Sequence, residues 1–177
     1  MTGVEPKQTA AAPKTAPNAR DRALAPVDIR DCQHDRLAMP FAEQFALWSM
    51  RLWVDGRRGR PVEHALEGAF RRLHRPEARR RLELFMLSLA HGAIRPIRLW
   101  PACSRPVSDD EVRLLDLLRY SQAGEQFAPA LLCRGFLRPG AAAVTARVGR
   151  DFAAELAGAG LHFPLGRKAT HEEARHG

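Results

Sequence analysis

The sequence predicts an all-α fold, a compact bundle of about six helices behind a disordered N-terminal tail. Three observations predict it. Apolar residues recur at helical spacing from Pro40 to Leu156, Pro and Gly punctuate those segments at short intervals, and only one short stretch alternates with a period of two. Hydrophobic residues make up 45% of the 177-residue chain and charged residues 27%, the proportions of an ordinary globular protein. Residues 1–27 are rich in Ala, Pro, Thr and Lys and hold no aromatic residue. Such a segment buries too little apolar surface to offset its ordering entropy, so it is expected to be disordered. Residues 28–166 are expected to form a single helical domain and residues 167–177 a frayed C-terminal tail.

The segment Pro40 to Val54 is expected to be the central helix. Phe41, Phe45, Trp48 and Leu52 fall on one stripe, Ala46, Leu47, Met50, Trp53 and Val54 cover the opposite side, and Gln44, Arg51 and Asp55 make a polar strip. A helix apolar nearly all round is normally buried, and at about 15 residues it is too short to cross a bilayer. Gly56 and Gly59 are suited to end it. A second helix follows Pro61, with Val62, Ala65, Leu66, Ala69 and Leu73 on one face. Pro76 opens a third, with its stripe at Ala78, Leu82, Phe85, Met86, Leu89 and Ala93. From Arg95 to Trp100, Ile97 and Leu99 alternate with other residues between Pro96 and Pro101. That pattern suits an extended crossover better than a central strand. Ser108-Asp-Asp-Glu111 spells a capping box for a fourth helix. A fifth is expected over about Glu125 to Leu137, with Pro129 in its first turn or kinking it. A sixth starts at Pro139-Gly140 and buries Val148, Phe152 and Leu156. Two three-helix halves joined by the crossover are compatible with these lengths, although no residue signature recurs between them.

The formal net charge is +8, of which residues 40–100 carry +6, from 12 basic and 6 acidic groups. A basic excess concentrates anionic partners through its long-range field. Against that, 25 of the 28 basic residues are arginine. Beside abundant Ala, Gly and Pro, this skew is what a GC-rich bacterial coding sequence produces. The three cysteines, Cys32, Cys103 and Cys133, include no C-x-x-C pair, which suits a reducing cytoplasm better than a disulfide framework. No apolar run reaches membrane-spanning length and the N-terminus has no apolar signal core, so a cytoplasmic protein without a membrane partner is expected.

Candidate sites are few. Arg71, Arg72, Arg75, Arg79 and Arg80 cluster around the break at Pro76, with Arg57 and Arg58 nearby in sequence, and could hold phosphates. However, consecutive arginines point 100° apart, Glu63, Glu67, Glu77 and Glu83 are interspersed, and no DNA-reading signature accompanies them. Met50 and Trp53 lie opposite the Phe41 stripe and would form a partner or dimer surface if only three helices packed on the central one. Cys103 is the cysteine placed in a loop, where Arg105 and the following helix N-terminus could lower its pKa and make a reactive thiol. Cys32 and His34 have the look of a metal corner, but nothing completes four ligands, so no metal is expected. No nucleophile elbow, phosphate-cradling loop or catalytic carboxylate pair is visible, and no cofactor is expected.

The expected function is therefore non-enzymatic: an accessory, adaptor or regulatory protein that binds another protein, or a second copy of itself, through a helical surface. A nucleic-acid-binding regulator using the arginine-rich junction is the alternative. A small-molecule-binding helical enzyme is the weaker one.

Overall fold

A computed structural model describes residues 34–164. The expected tail at 1–27, the frayed end at 167–177 and Cys32 lie outside the described residues. The rest is an all-α bundle of six helices: α1 (Phe41–Arg57), α2 (Glu63–Arg72), α3 (Pro76–Gly92), α4 (Asp109–Gln122), α5 (Ala128–Cys133) and α6 (Pro139–Gly158). Two minimal strands, β1 (His34–Asp35) and β2 (Pro106–Val107), pair antiparallel. Neither was foreseeable from alternation, since each is two residues long.

Local chemistry accounts for most of the boundaries. Pro40 precedes the first residue of α1, and α1 runs through Gly56 before Gly59, at φ +83°, turns the chain away. Pro76 sits in the first turn of α3 and Pro139 in that of α6, where a missing N–H costs no hydrogen bond. The capping box of α4 is complete: the Ser108 hydroxyl accepts from Glu111 N at 3.2 Å, and the Glu111 carboxylate accepts from Ser108 N at 2.8 Å. The fifth helix is shorter than expected, with Pro129 in its first turn. After α6, Leu161 and Phe163 return to the core, held by Gln122, whose amide donates to Leu161 O and accepts from Phe163 N.

The two sets of three helices do not stand apart. α3 and α6 pack antiparallel and closely, with Gly92 against Ala141 and Gly149 against Phe85 and Leu117. The expected central helix, α1, packs through large side chains such as Phe45, Leu47, Met50 and Trp53. Twelve of its 17 residues are buried, and they include Glu43, Arg51 and Asp55. Arg51 and Glu43 therefore face inward, toward α4 and the crossover, whereas Gln44 of the polar strip is half-buried at the surface.

These close approaches make opposite predictions for two glycines. A Cβ at Gly92 would lie 2.5 Å from Ala141 Cβ, an atom that cannot rotate away. Gly92→Ala is expected to cost about 1–3 kcal/mol. Gly68, on α2, has nothing within 4 Å of its Cβ position. Gly68→Ala is expected to add about 0.5–1 kcal/mol through helix propensity. Urea unfolding of the two variants reads both signs.

Candidate functional site

The inward face of α1 is the key to which surfaces remain free. Arg51 is fully buried and reaches Glu111 of α4 through two parallel bonds, Nε to Oε1 at 2.7 Å and Nη2 to Oε2 at 2.9 Å. Its remaining donors bind Ser104 O at 2.6 Å and Pro106 O at 2.7 Å. Glu111 in turn accepts from Trp100 N. Alongside, Arg95 and Asp110 form a second bidentate pair, and Asp110 also accepts from Arg98 N. Arg119 joins Glu43 of α1 to Asp116 of its own helix. The crossover is thus fastened through its backbone, with Ile97, Leu99 and Trp100 buried beneath it.

Met50 and Trp53 do not form a surface. Met50 is fully buried and Trp53 is 4% exposed, because α3 covers this side of α1 and Glu83 accepts the Trp53 indole N–H at 2.6 Å. The expected partner face is core. The opposite stripe carries the opening instead. Phe41 is 67% exposed at the start of α1, and nearby Leu37 is 54% exposed. Phe41, Phe45 and Trp48 line an open groove of about 270 Å³, closed by Arg36, Gln44 and Ala69 of α2. Gln44 is fixed by a 2.8 Å bond to Met39 O, and Arg36 by one to Ser104 O. From this groove a line of rings descends into the core. Phe41 lies 6.3 Å from Phe45, Phe45 is edge-on to Phe70 at 5.4 Å, and Phe70 meets Phe152 at 6.4 Å.

Three of the seven arginines at the junction meet carboxylates among the described residues. Arg79 bridges Glu63 and Glu83, Arg80 lies beside Glu77, and Arg75 reaches Glu155 and Gly158 O. Burial opposes the Arg79 charge, but both glutamates hold it, so its pKa is raised. Arg57 lies over the Trp53 ring at 5.4 Å. Arg71 and Arg72 are exposed at the end of α2. Arg58 belongs to the turn after α1, where its N–H closes the helix.

Cys103 is exposed in the loop after Trp100, as expected. The Arg105 guanidinium that would activate it is taken up by Asp35 at 2.6 Å, and three acidic residues, Asp109, Asp110 and Glu111, occupy the first turn of the following helix. Cys133 is buried, which pushes its thiol up to about 12. Among the described residues, no three His, Cys, Asp or Glu side chains gather as a metal site. No helix there is long and apolar enough to cross a membrane.

Two predictions test the polar frame. Glu111→Gln leaves the Arg51 charge buried without a counter-charge and is expected to cost about 3–5 kcal/mol in urea unfolding. Burial pushes the Asp110 carboxyl up, but the Arg95 bonds and the Arg98 N–H outweigh it, so its pKa is lowered. The unfolded chain then binds more protons in acid, and the stability this group contributes is lost as pH falls below the ordinary carboxylate value of about 3.9. Arg95→Ala should therefore flatten the acid limb of a stability–pH curve. No family model, curated protein or solved structure matches the chain, so its own geometry is what a functional reading rests on.

Proposed function

We propose that this is a non-enzymatic adaptor or regulatory protein that binds another protein through the aromatic groove at the start of α1. The observation that carries the reading is Phe41, a large apolar side chain 67% exposed beside Phe45 and Trp48 in an open cleft. Exposed aromatic side chains over a rigid base are the usual anchors of protein interfaces. At about 270 Å³ the groove falls short of the roughly 300–1,000 Å³ typical of small-molecule pockets and suits one or two side chains of a partner. Rigidity comes from the rings below it, which leave little ordering entropy for binding to overcome. The odd cysteine number supports placing this activity in a reducing cytoplasm.

The nucleic-acid alternative at Arg57–Arg80 has less support, because carboxylates already neutralise Arg75, Arg79 and Arg80. A phosphate backbone would have to displace them.

Phe41→Asp tests the proposal. The side chain is exposed, so the melting curve should stay within about 1 kcal/mol of the parent. A stoichiometric protein recovered by the parent from nuclease-treated host lysate should be lost, a drop of at least roughly tenfold in affinity. A partner retained by Phe41→Asp would refute the groove. Sedimentation of the parent alone distinguishes a second copy as the occupant. Retention of nucleic acid that falls steeply with salt would favour the alternative.

A further inference from the structure

Between Glu125 and Asp151 the chain holds four arginines, Arg134, Arg138, Arg147 and Arg150, and no acidic residue. None of the four meets a carboxylate among the described residues. Arg134 and Arg138 flank a notch of about 460 Å³ where the end of α3, α5 and the start of α6 meet. Its floor and walls are apolar, with Ile94, Leu137, Ala142 and Ala143 among them. Ile94 is 61% exposed there. This is a different place from the Phe41 groove, on different helices and of different chemistry.

We infer that the notch binds a small amphiphilic carboxylate, a free acid with a short hydrocarbon or aryl body. Its volume lies within the roughly 300–1,000 Å³ range of small-molecule sites. Arg138 is anchored at the rim by a 2.9 Å bond from Nη2 to His91 O, which leaves its other donors unmatched. Arg134 has no side-chain partner among the described residues. A guanidinium fork matches a carboxylate in geometry and charge, and the notch has two such side chains on its rim. The nearby Arg95 does not compete for it, because Asp110 already holds it by two bonds. The first turn of α6 also lacks any acid, so no negative group opposes the ligand from that side. An apolar body on Ile94 and Leu137 would leave no oxygen stranded, whereas a phosphate ester would set polar oxygens against apolar walls.

The test uses the full chain, calorimetry and amide NMR, with octanoate as probe and octanol, octylamine, inorganic phosphate and a short oligonucleotide as controls. Saturable one-to-one octanoate binding is expected, with shifts at Ile94, Leu137 and Ala143, and with octanol at least about tenfold weaker. Arg134→Ala with Arg138→Ala should weaken octanoate by about tenfold or more. Ala143→Phe should abolish binding by filling the notch while keeping both charges. Because Ala143 is exposed, that variant keeps the test informative even if the double change perturbs the fold. No saturation at roughly millimolar octanoate would overturn the inference. Equal binding of octanol or octylamine, or octanoate binding indifferent to Ala143→Phe, would overturn it too. Phosphate or oligonucleotide binding without octanoate binding would mark a general anion surface and do the same.

Discussion

Arg51 and Glu111 meet where two charges have been taken wholly out of water, and the layout of the bundle depends on that meeting. Removing a guanidinium and a carboxylate from water costs several kcal/mol each, and the cost is offset only when every donor and acceptor finds a partner. Here they do. Arg51 satisfies two loop carbonyls as well as Glu111, and Glu111 closes two backbone N–H groups. The stretch from Arg95 to Trp100 has no helical or sheet ladder of its own, so its buried backbone needs such outside partners. One ion pair thereby joins α1, the crossover and the α4 cap into a single unit. Polar anchors at Arg51 and Glu43 thus add to the apolar packing of α1, whereas α3 and α6 meet through the small residues Gly92, Ala141 and Gly149.

Much of this fold was legible in residue order. The prolines at 40, 76 and 139, the glycine at 59 and the Ser108–Glu111 box each mark an element end by a local mechanism that tertiary contacts do not override. The orientation of α1 was not legible. With apolar residues on nearly every side, periodicity distinguishes the faces of this helix poorly, and a strip of Gln, Arg and Asp is ordinarily solvated. The partner that turns Arg51 inward, Glu111, lies 60 residues away. Its charge already had a sufficient local explanation as a helix cap. A residue serving as cap and counter-ion at once carries no sequence mark of its second role. Once Arg51 faces inward, Met50 and Trp53 are committed to α3, and the Phe41 stripe is left to reach the surface.

The arginines teach a related lesson about density. Crowding along the chain drew attention to the α2–α3 junction, but crowding there includes the glutamates that neutralise it at i+4 and across the turn. What matters for a ligand is a cation without an anion in space. The sparse arginines from Arg134 to Arg150, in and beside α6, meet that condition among the described residues, and their signal in the sequence is the absence of acid around them rather than their number.

The exposure of Phe41 is the remaining point of tension. Fully burying a phenylalanine contributes about 1.5–3 kcal/mol, a sizeable share of a typical domain stability of about 5–15 kcal/mol. Its neighbour Phe45, one helical turn on, is 9% exposed and joins the ring ladder of the core. The same helix therefore contains the means to bury this stripe, yet it leaves the terminal ring in solvent. Because α1 is fixed by Arg51 and Glu43, the fold does not require that ring. A side chain that stability does not need, held beside Phe45 and Trp48 on a rigid base, is free to serve a contact outside the domain. This is the physical ground for proposing a partner contact at the start of α1.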